Sequence, residues 1–176
     1  MKIRKLELTD IELLQKIAQQ TFIETFSAEN SEENLQKYIK EELSVEKLNT
    51  EVNVKDSEFY FAEDDNDIVG YLKLNFANAQ TELKDDKAVE IERIYVLKEY
   101  HGKKVGQLLY EFAVKIAIEK NANYIWLGVW EQNQRAINFY RKNGFVEFDK
   151  HTFQLGDDEQ IDVMMKFNLK TNNESK

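Results

Sequence analysis

Residues 92–109 have the sequence ERIYVLKEYHGKKVGQLL, in which a β-branched stretch is followed by a short basic turn and a helical pattern. Apolar residues from Val105 to Ile116 are spaced three, one, three, one and three apart, which predicts an amphipathic helix. The first N–H groups of a helix have no intrahelical partner and carry the positive end of its dipole. Because Gly102, Gly106 and two lysines lie at that point, we interpret the turn as a cradle for a pyrophosphate-like anion. The alternative is an ordinary surface turn with solvated lysines, and neither the P-loop nor the dinucleotide glycine pattern is present.

Residues 126–145 have the sequence WLGVWEQNQRAINFYRKNGF, which predicts a strand, a short helix and a stop at an Asn-Gly pair. Four residues of this helix fall on one face, at offsets 0, 3, 4 and 7: Asn133, Ala136, Ile137 and Tyr140. A polar group, a small residue and a phenol would therefore line one groove. The alternatives are that Asn133 only caps the helix and that Tyr140 is a core tyrosine. Gly128 within the strand indicates a bulge or a close backbone approach.

The rest of the chain alternates between strand-like and helix-like patterns. Alternating or β-branched residues predict strands at 2–8, 59–63, 68–74, 88–97, 124–130, 145–148 and 161–167. A capping box of Thr9 and Glu12 predicts a helix to about Phe26, Ser31 is expected to cap a second helix through Leu43, and residues 44–56 form a polar stretch. This mixture predicts a single α/β or α+β three-layer domain over residues 1–170, followed by a frayed tail at 171–176.

The composition narrows the classes of function. A net charge of −9 over 176 residues argues against nucleic-acid binding, which needs a basic surface, and is compatible with a small cationic substrate. With no cysteine and only His101 and His151, we expect neither a disulfide framework nor a metal site. No apolar run approaches the roughly 18 to 20 residues of a membrane helix. Residues 1–7 lack the apolar core of a secretory signal, so we expect a cytoplasmic location.

The two quoted stretches resemble the acetyl-CoA signature of the GCN5-related N-acetyltransferase (GNAT) family. The family pattern Arg/Gln-x-x-Gly-x-Gly/Ala follows a strand, and here its fixed positions are occupied by His101, Lys104 and Gly106. The family pattern Asn-x-x-Ala-x-x-Phe-Tyr-x-x-x-Gly-Phe matches residues 133–145 at every fixed position. The resemblance implies a GNAT-like three-layer α/β/α domain with a mixed, mostly antiparallel sheet. That sheet splays between its two central parallel strands, and the pantetheine arm of acetyl-CoA enters the gap.

The resemblance also implies the residues that bind the two substrates. Those expected to bind acetyl-CoA are Ile94, Tyr95, Val96, His101, Gly102, Lys103, Lys104, Val105, Gly106, Gln107, Asn133, Ala136 and Tyr140. A narrower similarity, in residues 21–26, 92–95 and 126–131, is to PaiA-type spermidine/spermine acetyltransferases. Carboxylates and an indole face would bind an alkylammonium acceptor, and the candidates are Glu24, Trp130, Glu131 and Asp162. Homodimers are frequent in this family, so a homodimer is also an option.

Acetyl transfer to an amine needs a base, an oxyanion site and an acid for the departing thiolate. Glu92 is the candidate base, acting through a water, and Glu90 is its rival because both share one face of a regular strand unless a bulge intervenes. Tyr140 is the candidate acid, since the usual pKa of a phenol, about 10, exceeds that of a thiol, about 8.5. Backbone N–H groups around 94–96 would hold the oxyanion. The alternatives are an acetyltransferase for a peptide N-terminus or another small amine, and a non-catalytic acyl-CoA-binding sensor.

Overall fold

The computed structural model describes residues 1–170, and the frayed tail expected at 171–176 lies outside the described residues. The strands are β1 Lys2–Lys5, β2 Ser57–Asp64, β3 Asp67–Phe76, β4 Ala88–Val96, β5 Tyr124–Trp130, β6 Val146–Leu155 and β7 Asp158–Asn168. The helices are α1 Ile11–Phe26, α2 Glu32–Glu42, α3 Val45–Val52, α4 Val105–Glu119 and α5 Gln134–Lys142. Within residues 1–170 the strands form one sheet in the order β1-β2-β3-β4-β5-β7-β6.

The centre of the sheet is open between β4 and β5. These two strands are parallel and pair over only three residues each, 88–90 with 124–126. Beyond Glu90 and Trp126 the two strands continue to Val96 and Trp130 with no register partners between them in the described chain. Every other neighbouring pair is antiparallel. The predicted mixed sheet, splayed between two central parallel strands, is therefore confirmed.

Helices cover both faces of the sheet, as the three-layer prediction requires. On one face, Leu109 of α4 and Ile137 of α5 belong to a core cluster that includes alternate residues of β5. On the opposite face, Leu14, Leu35 and Leu48 of α1, α2 and α3 belong to a second cluster. The strand period of two sends successive side chains to opposite faces, so one strand supplies both cores.

Two local predictions about the first helices are wrong. Residues 44–56 are not an irregular polar stretch, because they contain α3, whose start is capped by the Ser44 hydroxyl accepting from the Lys47 N–H at 3.2 Å. The capping box of Thr9 and Glu12 does not form. Instead the Glu7 N–H donates to Asp10 Oδ2 at 2.9 Å, since Arg4 holds that carboxylate with bonds of 2.6 and 3.0 Å. The first strand accordingly ends at Lys5 and a 3₁₀ turn precedes α1.

A bulge in β4 lies beside the open centre of the sheet. Lys73 of β3 pairs with Arg93, whereas the next residue, Leu74, pairs with Ile91. Glu92 is therefore an extra residue on β4 without a partner opposite it. A bulge re-aims side chains and bends its strand, so the strand alternation that would make Glu90 and Glu92 equivalent is broken at this point.

We expect Gly70→Ala to destabilise the fold because Gly70 lies against the backbone of the splayed strand. A Cβ at this position would come within 2.8 Å of the Tyr95 carbonyl oxygen, which can move only if β4 moves. Overpacking of this kind costs about 1–3 kcal/mol, measurable as a lower free energy of unfolding in urea. The matched control is Gly106→Ala in α4, where the nearest atom would be 4.0 Å away and alanine should be favoured by about 0.5–1 kcal/mol. Equal stability of the two variants would contradict the close contact.

Candidate active site

A cavity of about 340 Å³ crosses the open centre of the sheet between β4 and β5. Several residues predicted for the site line it together: Glu92, Ile94, Tyr95, Trp130, Asn133, Ala136, Tyr140 and Asp162. Residues of α1 and α2, including Phe22 and Tyr38, line it from the opposite layer. The cavity therefore connects the α5 side of the sheet to the α1 and α2 side.

The remaining predicted residues do not line this cavity. Val96 lies at the end of the splayed strand, and residues 101–107 form the turn before α4 and the start of that helix. The Glu24 carboxylate accepts the Lys98 N–H at 2.8 Å and so holds the segment just before that turn against α1. Glu131 follows β5, and its N–H donates to the Ile161 carbonyl oxygen at 3.0 Å. Binding roles for these residues stay predictions.

The turn before α4 has open space beside its two glycines. Lys104, at the N-cap, has a left-handed φ of 65°, and Gly102 has a φ of 80°. A Cβ at Gly102 would meet no atom within 4 Å, and one at Gly106 would meet only Val96 Cγ2 at 4.0 Å. The Lys103 ammonium lies 4.4 Å from the centre of the Tyr100 ring. The N-terminal N–H groups of α4, the open space at Gly102 and two lysines fit a phosphate group.

An arginine of α5 reaches the same turn and was not among the predicted site residues. Arg135 Nη1 lies 2.7 Å from His101 Nδ1, and His101 Nε2 lies 2.9 Å from the Val96 carbonyl oxygen. Because a guanidinium only donates, Nδ1 accepts and Nε2–H donates. Burial, assisted by the Arg135 charge, lowers the pKa of His101. The ring is therefore a neutral link that places the Arg135 charge next to the turn.

Tyr140 lies at the inner wall of the cavity on the α5 side. The residue is only 6% exposed, and within residues 1–170 its hydroxyl makes no hydrogen bond to protein. Its ring packs edge-on against Phe139 and Phe145, with centroid distances of 5.4 and 5.5 Å. Burial raises the pKa of Tyr140 well above its usual value. The phenol is therefore held rigid and protonated beside the cavity, as a proton donor needs to be.

Glu92 is held in a network of opposite charges. Its Oε2 lies 2.6 Å from Lys73 Nζ and accepts from Asn75 Nδ2 at 2.6 Å. Burial acts to raise the pKa of Glu92, but the charges of Arg93 and Lys73 outweigh it and lower the pKa. Glu51 of α3 completes the network by binding Lys73 at 3.1 Å and Arg93 at 2.8 and 3.1 Å. Glu92 is ionised and a weak proton acceptor.

Glu90 has the opposite character. Its carboxylate accepts the N–H and hydroxyl of Thr81, at 2.8 and 2.5 Å, and Asn75 Nδ2 at 3.0 Å. Burial raises the pKa of Glu90 in spite of these three bonds. Asn75 bonds to both Glu90 and Glu92, so these rival carboxylates remain neighbours on either side of the bulge.

Aromatic rings and further carboxylates line the cavity on the α1 and α2 face, the side where an amine acceptor is expected. Phe22 stacks on Tyr38 at 4.4 Å, and Phe26 packs against Trp130 at 5.2 Å. Carboxylates of this cavity are Glu82, Glu90, Glu92 and Asp162. Aromatic faces together with carboxylates are the groups that bind organic cations. Within residues 1–170, no group of three or more His, Asp or Glu side chains is arranged to hold a metal ion.

The comparison with protein families agrees with this geometry. Residues 11–145, more than half of the chain, match the model of the Acetyltransferase (GNAT) family. The chain belongs to the GNAT acetyltransferase family. This membership confirms the enzyme class, N-acetyltransferase, that the two sequence patterns indicated.

Relatives of this GNAT chain span almost its full length. It is 39% identical over 166 residues to an uncharacterized N-acetyltransferase of Lactobacillus delbrueckii subsp. lactis, covering 94% of this chain and 96% of that one. It is 33% identical to a spermidine N(1)-acetyltransferase of Thermoplasma acidophilum, with coverages of 82% and 88%. Among solved structures, the PaiA N-acetyltransferase of Thermoplasma acidophilum in complex with coenzyme A superposes with a TM-score of 0.78. That structure shares 31% identity, with coverages of 95% and 98%.

The departures from the GNAT pattern in the turn before α4 have a structural account. Lys104, where the family has its first glycine, adopts the left-handed conformation that a glycine would take most easily. His101, where the family has Arg or Gln, is bonded to Arg135, which brings a guanidinium to the turn from another element.

No helix in the described part of this GNAT chain is long and apolar enough to cross a bilayer.

Proposed function

We propose that this GNAT enzyme transfers the acetyl group of acetyl-CoA to a primary amine of a polyamine such as spermidine or spermine, in a ternary complex. The observation that carries the proposal is the cavity through the open sheet. It joins Tyr140 and Ala136 of α5 to a wall of aromatic rings and carboxylates on the opposite face. An acyl donor and a cationic acceptor can therefore meet from opposite sides of one sheet.

The α4 and α5 side has the features that acetyl-CoA needs. The gap between β4 and β5 accommodates an extended arm, and Ala136 leaves room beside it on α5. The turn at 102–106, with Lys103, Lys104 and Arg135 nearby, would hold the pyrophosphate. Asn133, which caps α5 by accepting the Ala136 N–H at 3.2 Å, has its amide N–H₂ left for the arm. The coenzyme A complex of the Thermoplasma relative supports this assignment.

The reactive acetyl group comes from the thioester, and the chain supplies the groups around it. Backbone N–H groups around Ile94 to Val96, on the strand that has lost its β5 partner, would bind the developing oxyanion. Tyr140 would donate its proton to the departing thiolate. Glu92, whose pKa is lowered, would attract the ammonium and order a water. Glu90 or a water chain is the alternative path for the proton.

The acceptor side favours a polyamine. The indole of Trp130 and the rings around it can hold an alkyl chain and its ammonium groups, and Asp162 supplies a carboxylate. Burial raises the pKa of Asp162, and the neighbouring His151 acts to lower it. A bound ammonium group near Asp162 would likewise favour the ionised carboxylate. The name of the Thermoplasma relative, a spermidine acetyltransferase at 33% identity, supports the same class of acceptor. The expected cytoplasmic location and homodimer stay predictions.

Thiol release from acetyl-CoA across an amine panel tests the proposal. We expect the highest kcat/KM for spermidine and spermine, with lower values for putrescine and a peptide N-terminus. The longer polyamines place a second ammonium at the carboxylates, which a peptide N-terminus cannot do. Turnover with the peptide alone would keep the acetyltransferase and replace the acceptor. Binding of acetyl-CoA without turnover of any amine would favour the acyl-CoA sensor.

A further inference from the structure

His151 of β6 lies in the acceptor side of the cavity between two carboxylates. Its Nε2 is 3.2 Å from Asp162 Oδ2, and its Nδ1 is 2.7 Å from Glu82 Oε1. A Cβ at Gly128 would come within 3.2 Å of His151 Cε1 and 3.5 Å of Asp162 Oδ2. The glycine therefore lets the imidazole and Asp162 lie directly against β5, at the open centre of the sheet.

The two ring nitrogens of His151 have different surroundings. In the neutral ring, Nε2–H donates to the Asp162 carboxylate, 3.2 Å away, and the lone pair is on Nδ1, whereas a ring that has accepted a proton at Nδ1 lies between two carboxylates. Nδ1 is buried and makes no hydrogen bond within residues 1–170. A lone pair and a carboxylate oxygen 2.7 Å apart repel each other. A group with two N–H donors, such as an ammonium, would satisfy both.

Glu82 is the carboxylate next to that nitrogen. It belongs to the segment between β3 and β4, and its side chain is 40% exposed. A rotation of this side chain would admit an ammonium between Oε1 and the imidazole. The acceptor amine would then be held by a carboxylate on one side and would face a lone pair on the other.

Three other titratable groups of the cavity are less suited to accept this proton. Glu92 is ion-paired with Lys73 and Glu90 accepts three hydrogen bonds. Tyr140 is held protonated. A neutral imidazole has one ring nitrogen with a lone pair that can accept a proton, which suits a general base.

We propose that His151 Nδ1 accepts the proton of the acceptor ammonium, with Glu82 binding that ammonium and Asp162 positioning the imidazole. This proposal rests on the proposed amine acetyltransfer. It replaces Glu92 as the immediate proton acceptor and leaves Glu92 as a fixed negative charge within the same cavity.

The proton and electron balance of the step is complete without any further reactant. An N–H bond of the ammonium breaks, its electron pair stays on nitrogen, and the proton bonds to Nδ1. The nitrogen pair then forms the bond to the acetyl carbon while the bond from that carbon to sulfur breaks. Tyr140 gives its proton to sulfur and regains one from the new amide nitrogen. The proton on His151 is released to solvent.

The test compares His151→Gln with the wild-type enzyme across the pH range, using the best amine of the panel. Near neutral pH we expect kcat to fall about 100-fold, a usual contribution of a general base. The deficit should shrink as the pH approaches about 10, the usual pKa of an alkylamine, because the amine then arrives without its extra proton. A fluorinated analogue of the amine, which is neutral at neutral pH, should restore much of the activity of the variant.

Two further variants separate the binding role of Glu82 from the proton-accepting role of His151. Glu82→Gln, in a partly exposed segment, should raise KM more than it lowers kcat. The matched control is Asp149→Asn on β6, the strand of His151. Within residues 1–170 its carboxylate accepts only the N–H of its neighbour Lys150 at 2.8 Å, and the variant should keep wild-type kinetics. Melting temperature and coenzyme A affinity of every variant show whether the fold and the donor site are intact.

The outcomes distinguish this inference from the proposed function. No turnover of any amine by the wild-type enzyme would remove the proposed function itself. Wild-type turnover together with full activity of His151→Gln would overturn the proton-acceptor role. A loss of the same size at every pH and with the fluorinated amine would also overturn it, because His151 would then be only structural.

Discussion

Tyr140→Phe is expected to lower kcat on the order of 1000-fold, within the range that a general acid contributes, while coenzyme A affinity stays unchanged. The variant removes only the hydroxyl of a buried ring, and that hydroxyl makes no hydrogen bond to protein within residues 1–170. No folding interaction is lost with it. Under the proposed mechanism, in contrast, the departing thiolate loses its proton source. Single-turnover kinetics with the best amine would measure the change.

Tyr110→Phe is the matched control for this prediction. Tyr110 of α4 is equally buried, at 6% exposure, and packs against the same two rings, Phe139 and Phe145, at 6.1 and 5.9 Å. It does not line the cavity. We expect Tyr110→Phe to turn over like the wild-type enzyme. If the two variants behave alike, Tyr140 has no part in the chemistry.

Lys73→Met is expected to cost about 3–5 kcal/mol of unfolding free energy, the usual loss when one partner of a buried ion pair is removed. Lys73 is only 5% exposed, and its ammonium contacts Glu51 at 3.1 Å and Glu92 at 2.6 Å. Methionine keeps the volume of the side chain but leaves Glu92 with Asn75 and an Arg93 nitrogen 3.7 Å away. Urea unfolding monitored by circular dichroism would measure the loss.

Adding Glu92→Gln to Lys73→Met should recover part of that stability. The uncharged amide no longer needs a cation, its oxygen can still accept from Asn75, and the pair between Glu51 and Arg93 is retained. Residues within one network show interaction energies of about 0.5–3 kcal/mol in a double-mutant cycle. Additive effects of the two substitutions would show that the ammonium and the Glu92 carboxylate are not coupled.

The fold was largely predictable because its signals are local. The helical spacing from Val105 to Ile116 and the β-branched residues of β4 and β5 each determine one element, and the family patterns connect them. The predictions that were wrong concern features that depend on residues distant in the sequence. Helix α3 buries only Leu48 among its eight residues, so its period was too weak to detect. The turn before α1 is set by Arg4, whose other partner is Glu63 on β2.

The site residues also divide into those with a local sequence signal and those brought together from distant positions. Asn133, Ala136 and Tyr140 share a helix face that can be derived from spacing alone, and the structure places them together. Arg135 lies in the same stretch, but its role depends on His101, 34 positions away. The grouping of Glu82, His151 and Asp162 requires a loop and two strands to meet. Neither carboxylate has a spacing to His151 that a sequence pattern could detect.

The three-residue pairing of β4 with β5 has a consequence for the lifetime of the protein. The two halves of the sheet are joined at the centre by few backbone hydrogen bonds. Acetyl-CoA bound in the gap would contact both halves and hold them together. A ligand at 100 times its Kd adds about 2.7 kcal/mol to the stability of the folded state. Resistance to proteolysis should therefore rise and fall with the concentration of acetyl-CoA.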